Sequence, residues 1–363
     1  MASRSKDQTV SVVMPVHNAL PFLDDAVRSI LDQTHRNFEF VIYDDASTDG
    51  STERLREWAA QDERVRLIEG EKNLGPVGSS MMAVDKSTGA FVARMDADDL
   101  SHPQRLELEL RVLEANPAAG LVGTMFDIID DDGRQIRTED HWRLERKSAF
   151  LPFAHGSIMF RRATFNRIGG YREECIFWED QDLVLRMAAE GDVLVIPRSL
   201  YRFRQWRRPK LSDSQNERVE NAVDLMYRCV ACLERGEAYD DLLESRDHQP
   251  SRVDPRVFVS AGSRLLWPGG RPMLLGRFLR RGKLGFNART ASTLVWTAWA
   301  SVSPGSLRAF LRMLLRQRNV RARHVHSARE PVRWSPAYPR STASPSAKER
   351  SVPLDLVRPA DSR

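Results

Sequence analysis

The chain has 363 residues, 41% of them hydrophobic and 29% charged, with 55 Lys and Arg against 50 Asp and Glu. That composition supports a globular protein with a sizeable core and excludes a fibrous or wholly disordered chain. Three cysteines are too few for a disulfide framework, and the net charge of +5 is modest.

Met1 to Asp7 holds no apolar run, so it does not read as a secretory signal; residues 1–8 read as a flexible N-terminus. Val10 to Pro15 is an apolar run ended by proline and predicts a buried strand. Phe22, Ala26, Ile30 and Leu31 then give a helical stripe. Phe38 to Tyr43 predicts the second strand, which runs into the polar turn Asp44-Asp45-Ala46-Ser47-Thr48-Asp49-Gly50 and a helix over Thr52 to Ala60. Val65 to Glu69, Ala90 to Met95 and Leu121 to Ile129 predict three more strands, the last closed by the turn at Asp131 to Gly133. Short strands alternating with helices imply an α/β domain built on a mostly parallel sheet flanked by helices, here over 9–210.

The style changes in 211–330, which reads as a basic helical region. Ser212 to Arg235 is amphipathic, and within it Leu225, Met226, Cys229 and Leu233 recur at helical spacing, so Cys229 and Cys232 read as core thiols rather than zinc or redox ligands. The most apolar stretch, Ala291 to Val302, falls well short of the roughly 20 residues needed to span a bilayer. Ser301 to Gln317 predicts a helix with Leu307, Phe310, Leu311, Leu314 and Leu315 on one face and Arg308, Arg312 and Arg316 on the other. Between Ala261 and Glu330 stand fourteen Lys and Arg against one acidic residue. Such a field favours phosphate-bearing partners; an anionic membrane surface is one candidate and a solvated basic face is another. The aromatics there form no stacking motif, so nucleic acid is not expected. From 331 to 363, Pro, Ser, Arg and Ala dominate, which predicts a disordered tail.

Chemistry concentrates at strand ends. Asp96, Asp98 and Asp99 follow the fourth predicted strand directly. Like charges clustered there suit a hard divalent cation such as Mg²⁺ or Mn²⁺ with phosphate oxygens, although a solvated acidic turn before the helix near Pro103 has the same composition. The carboxyl end of a strand in an α/β sheet is also where a nucleotide lies. Asp44 and Asp45 follow the second strand, where an Asp could accept the N3–H of a pyrimidine or cap the turn. Asn73, Gly75, Gly78 and Ser79 follow the third, and residues this small let backbone approach a ligand. Glu179 and Asp180 precede a helical run and suit either the helix dipole or a general base.

Taken in order, these stretches resemble the family 2 inverting glycosyltransferases of the GT-A fold. The matching motifs are Val12 to Asn18, Asp44 to Gly50, Lys72 to Gly75, Arg94 to Asp99, His155 to Arg162, Gly169 to Tyr171, Glu179 to Leu183 and Leu200 to Arg202, covering about 9–208. The resemblance implies a nucleotide-sugar donor, UDP by default with dTDP or GDP as alternatives. It further implies Mn²⁺ or Mg²⁺, and a saccharide or lipid-linked acceptor in cell-envelope synthesis; the few cysteines, the start without an apolar run and the short apolar stretch read as a cytoplasmic chain. Carried over by position, Pro15, His17 and Asp45 would line the base site, with Asn18, Asn73 and Gly75 also on the donor side. Asp96 would meet the sugar nucleotide and share the metal with Asp98, Asp180 would be the catalytic base, Glu179 and Arg162 would support the site, and His155, Trp178 and Trp142 would either border the acceptor or lie in the core.

Two departures stand out. Many relatives carry a basic residue and Asn where this chain has Ser80 and Met81. Many also read Tyr-Arg-x-His where this chain has Tyr201-Arg202-Phe203-Arg204. Arginine stays protonated and cannot ligate a cation, so Arg204 is expected to face the departing diphosphate instead. Two rival classes are a nucleotidyltransferase, disfavoured by Pro15-Val16-His17-Asn18-Ala19 where a glycine-rich phosphate loop belongs, and a non-catalytic sugar-nucleotide binder, disfavoured by the intact acidic motifs.

Overall fold

The computed structural model describes residues 10–138, 151, 153–176, 178–205 and 331–334, with positions 225, 229, 232, 239, 240 and 243. Contacts divide the chain into two units, Met1–Arg208 with His326–Arg363, and Pro209–Val325. In chain order the first unit contains β1 (Val10–Val16), α1 (Leu20–Leu31), β2 (Phe38–Asp44), α2 (Ser51–Gln61), β3 (Val65–Glu69), α3 (Gly75–Lys86), β4 (Phe91–Arg94) and β5 (Leu100–Ser101). It continues with α4 (Arg105–Ala115), β6 (Ala119–Ile129), β7 (Gln135–Thr138), β8 (Ile158–Arg161), α5 (Arg162–Arg167), α6 (Glu179–Glu190), β9 (Asp192–Arg204) and β10 (Val332–Trp334).

The strands form one sheet in the order β10-β9-β6-β8-β4-β1-β2-β3. β3, β2, β1 and β4 run parallel, and so do β6 and β9; β8 is antiparallel to both its neighbours. Strands covered on both faces need continuous apolar runs, which is why all seven residues of β2 but one are buried, and why β6 is buried at ten of its eleven positions. α3 packs on β1 and β2, while α4 and α6 pack on β6 and β9. The expected α/β architecture with a mostly parallel, helix-flanked sheet is therefore present.

Three differences from the sequence reading have physical causes. β9 was hidden by Pro197, which cannot donate to a ladder. The register against β6 jumps from Ile196 opposite Thr124 to Ser199 opposite Met125, so the proline sits in a bulge and the strand continues past it. β8 is four residues long, too short for periodicity to announce. The third difference lies at the start of the tail: Val332, Arg333 and Trp334 pair antiparallel with Val195, Leu194 and Val193, and Arg333 forms an ion pair with Asp192, while 335–363 lie outside the described residues.

In the second unit Leu225, Cys229 and Cys232 are helical and buried, as their spacing predicts. The rest of the helix predicted over Ser212 to Arg235, the helix predicted from Ser301, the basic region 261–330 and Trp142 lie outside the described residues. No helix among the described residues is long and apolar enough to cross a membrane.

Candidate active site

Because β1, β2 and β4 are parallel, their carboxyl ends lie along one edge of the sheet, and the loops that leave them carry the predicted residues. Val16 pairs with Asp44, and the Met95 N–H donates to the Val13 carbonyl (3.0 Å), so the acidic loop leaves β4 beside the carboxyl-terminal half of β1. With β1 between them, the loops after β2 and β4 stand two strand spacings apart, about 10 Å. That is room for a nucleotide.

On the β1–β2 side the loops are locked together by their own side chains. Asn18 and Ala46 both adopt left-handed backbone (φ 53° and 56°), a conformation costly for residues other than glycine. Asn18 compensates by accepting the Thr48 N–H on Oδ1 (2.8 Å), while its own N–H donates to Ser47 Oγ (3.0 Å). Asp44 holds the turn itself, accepting from the hydroxyls of Ser47 and Thr52 at 2.5 Å each. Asp45 faces the other way: its two carboxylate oxygens accept the N–H groups of Leu74 (2.7 Å) and Gly75 (2.9 Å) at the start of α3. The acidic pair thus splits into a turn holder and a residue that draws the loop after β3 towards the loop after β2.

His17 sits among these loops, exposed. Its Nδ1 lies 2.8 Å from the Asp45 carbonyl, which can only accept, so Nδ1 carries the proton and Nε2 accepts from the Asn18 amide (3.2 Å). Asn73 lies beside it: its Nδ2 stands 3.1 Å from His17 Nδ1, a contact between two donors rather than a hydrogen bond, and its Oδ1 accepts the Gly75 N–H (3.0 Å). Pro15 closes the group from within β1, opposite Tyr43. His17, Asn18, Asp45, Asn73 and Gly75 are therefore brought together by hydrogen bonds; Asn18, with its oxygen and its amide both engaged inside the protein, supports the group.

The acidic loop resolves into three different carboxylates. Asp99 is buried (1% exposed), accepting the Tyr201 hydroxyl (2.8 Å) and the Arg204 N–H (2.6 Å). Burial, then the charges of Asp96 and Asp98, push its carboxyl well above the usual carboxylate range. It is structural: β5 pairs Leu100 and Ser101 with Arg202 and Tyr201, and Asp99 rivets the loop to β9. Asp96 forms an ion pair with Arg94, and Asp98, between Asp96 and Asp99 in sequence, is half-buried.

From the other side comes α6. Asp180, in its first turn, accepts the Gln181 N–H on Oδ1 (2.7 Å). Burial raises its pKa, the Arg94 charge pulls it back, and Asp96 pushes it up, so Asp96 and Asp180 lie within electrostatic reach of one another and of Arg94. Tyr171 joins them. Its hydroxyl lies 2.8 Å from His155 Nε2, and it feels Arg94, Glu179, Asp180 and Asp96 together. Burial first, then Arg94, hold the His155 imidazole well below its ordinary pKa, which keeps it neutral. Asp182 belongs elsewhere: fully buried, it is held by Arg186 through two bonds (2.9 and 2.5 Å), and Arg186 also caps the carbonyls of Ile168 and Gly170.

Two sequence expectations need correction. Arg204 does not face a diphosphate. It is 2% exposed, its Nε donates to the Asp98 carbonyl (2.8 Å), its Nη1 to the carbonyls of Asp130 and Asp131 (3.0 and 2.7 Å), and its guanidinium lies 4.5 Å from the Phe22 ring. Those contacts hold Asp98 from behind. Arg162 lies at the far edge of the sheet, beyond Arg161, which pairs with the first residue of β4; it is spent on the Gly89 and Val84 carbonyls and Ser87 Oγ (2.6, 2.9 and 2.6 Å). Of the two alternatives for Trp178, the structure shows the core one: it is 3% exposed at the start of α6.

The residues that sequence reasoning missed are Arg94, Tyr201 and Arg105. Arg94 stood inside a quoted motif without a role, although a lone cation ending an apolar strand just before acids was a readable signal. Arg105 is wholly buried and donates from Nη1 to the carbonyls of Arg94 (2.9 Å) and Gly156 (2.6 Å) and from Nε to Ser101 Oγ (2.8 Å). Its guanidinium stands 5.4 Å from the Tyr201 ring. Gly156 is required by this packing: a Cβ there would come 1.8 Å from the Tyr201 hydroxyl and 2.8 Å from Asp96 Oδ2. Gly156→Ala is therefore expected to cost roughly 1–3 kcal/mol as overpacking, seen as a lower urea midpoint, and to displace Tyr201 and Asp96. An unchanged midpoint would show that Tyr201 can move freely.

The model of the family described as Glycosyl transferase family 2 matches residues 11–172. EpsE of Bacillus subtilis, whose name describes a glycosyltransferase, is 32% identical over 228 residues, spanning 61% of this chain and 81% of that protein. TuaG of the same organism, named for teichuronic acid biosynthesis, is 34% identical over 128 residues, 35% of this chain and 50% of that one. Among solved structures, the mannosyltransferase PcManGT from Pyrobaculum calidifontis, in complex with GDP-Man and Mn²⁺, superposes with a TM-score of 0.51 at 18% identity over 84% of this chain and 83% of its own. At that identity the likeness speaks for the fold, which is the GT-A arrangement. With the ordered motifs, the strand-end loops and the match to EpsE in place, the chain belongs to glycosyl transferase family 2.

Proposed function

We propose that this glycosyltransferase moves a sugar from a nucleoside diphosphate donor to a hydroxyl of a saccharide or lipid-linked acceptor in envelope polysaccharide synthesis, with inversion at the anomeric carbon. The observation that carries this reading is that Asp96 and Asp180, from stretches far apart in sequence, act on one buried arginine at the carboxyl edge of the sheet. An inverting transfer is a single displacement by the acceptor oxygen, which needs a base to take its proton and no nucleophile from the protein. Asp180 fits, because its partner Asp182 is neutralised by Arg186 and cannot serve.

In this reading the base rests near His17, Asp45 and Asn73, and the diphosphate crosses from there toward Asp98. Asp180 takes the acceptor proton as the acceptor oxygen attacks, and the bond from the anomeric carbon to the diphosphate breaks on the opposite face. The acidic loop suits a hard divalent cation, Mn²⁺ or Mg²⁺: Asp96 and Asp98 stand two residues apart just past the end of β4, and the available donors are oxygens. Asp98, with Asp96 beside it, would hold the ion. Among the described residues no three acidic, His or Cys side chains form a cage, so diphosphate oxygens would complete its shell. When bound, such an ion offsets charge on the leaving group. The name of TuaG supports an envelope polysaccharide, and the fourteen cations against one acid in 261–330 support attachment to an anionic membrane.

Calorimetry with UDP-, GDP- and dTDP-sugars, with and without MnCl₂, tests the proposal. Donor binding strengthened at least tenfold by the ion is expected, and it would also name the base. Binding of no nucleotide sugar under either condition would overturn it.

A further inference from the structure

Arg94 ends β4 and is 6% exposed, so its guanidinium has left water for a place where its charge must be matched. One match is Asp96, with which it forms an ion pair. Its Nε has no hydrogen-bond partner among the described residues, an unusual state for a buried arginine and one that leaves a donor in reserve. Its backbone is fixed too, since Arg105 grips the Arg94 carbonyl and the Gly156 carbonyl with the same nitrogen. Around the side chain stand groups from five separate stretches: Asp96, His155, Tyr171, Asp180 and Tyr201, each of which feels its charge. Arginine suits this position better than lysine, because a planar fork can keep one carboxylate while presenting further N–H groups to another.

We propose that Arg94 is the positioning residue of this site: its guanidinium fastens Asp96 and holds a fixed positive charge beside Asp180, so that the donor-side and acceptor-side carboxylates are set by one side chain. The inference rests on the proposed transfer reaction and extends it to a residue that need not touch either substrate. Asp96 held in one place presents its free oxygen to the donor. Asp180, otherwise disfavoured as an anion by burial and by Asp96, is kept as a carboxylate pointing at the acceptor.

The test compares full-length Arg94→Lys and Arg94→Gln with the parent, using the nucleotide sugar that calorimetry identifies and following its hydrolysis and transfer. Arg94→Gln is expected to lose at least 100-fold in kcat. Arg94→Lys, which keeps the charge but not the fork, is expected to recover at least tenfold of that loss while its KM for the donor stays several-fold above the parent. A purely structural role would lower both variants alike in step with their urea midpoints, and that result would overturn the proposal, as would kcat within twofold of the parent in both. If Arg94→Gln does not fold, Arg94→Gln with Asp96→Asn removes both charges and is expected to fold; failure of that pair to fold would count against the ion pair as the reason Arg94 is there. A parent inactive with every donor defeats the reaction itself, whereas an active parent with indifferent Arg94 variants defeats this inference alone.

Discussion

Asp180→Asn is expected to retain donor binding and to lose between about 10² and 10⁴ in kcat, the scale of removing a general base. The substitution keeps shape and the bond from the Gln181 N–H to Oδ1, but removes the ability to take a proton. Among the acids opening α6, Asp182 is already bound to Arg186, and Asp180 is the one placed by charge against both Asp96 and Arg94. A pH profile sharpens the claim. Burial raises the Asp180 pKa above its ordinary 3.8, and the base works only when ionised. The rate should therefore fall as the pH drops through that raised value, above the ordinary Asp range, and this acid limb should vanish in Asp180→Asn. Turnover within a few-fold of the parent, or an acid limb that persists in the mutant, would reassign the base.

Glu109→Gln should change stability rather than rate. Glu109 lies in α4 with no exposure, and neither carboxyl oxygen has a hydrogen-bond partner among the described residues. Burial pushes its pKa from 4.5 up to about 8, against the pull of Arg105 one turn away. The folded chain thus holds this proton more tightly than the unfolded chain does. Its contribution is complete below pH 4.5 and fades as the pH rises through 8, the loss amounting to about 4 kcal/mol at the upper end. Glutamine carries no proton to lose. Urea unfolding at pH 5 and pH 8 should show a stability drop in the parent and a much flatter response in Glu109→Gln, which becomes the more stable protein at pH 8. Equal slopes with pH in the two proteins would mean that Glu109 reaches water or a partner.

What the sequence disclosed follows a physical line. β1, β2, β4 and β6 were legible because buried strands are rich in apolar residues, and β3 as a short run between turns; the acids at Asp96, Asp98 and Asp180 could be placed at strand and helix ends, but the same positions also suit a capped turn or a helix dipole. β9 was not, since Pro197 disguises it and only the register against β6 shows that a bulge absorbs the proline. Charge was legible but its direction was not. Arg204 looked like a ligand contact and Arg162 like a support of the site, and both hold main-chain carbonyls, whereas Arg94 and Arg105 looked like ordinary cations and are buried around the site. Which way an arginine points depends on packing between elements distant in the chain, and no local pattern records that.

The short strand β10 carries a practical lesson about where this domain stops. The family match ends at 172 and the last long strand at 204, which invites a fragment cut shortly afterwards. Yet the outer side of β9 at Val193, Leu194 and Val195 is paired with residues 332–334, more than a hundred positions downstream. A fragment trimmed to the apparent catalytic half would present that row of amides and carbonyls bare, an open invitation to strand-on-strand self-association. Poor behaviour of such a fragment would reflect a missing hem on the sheet, not a defect in its chemistry.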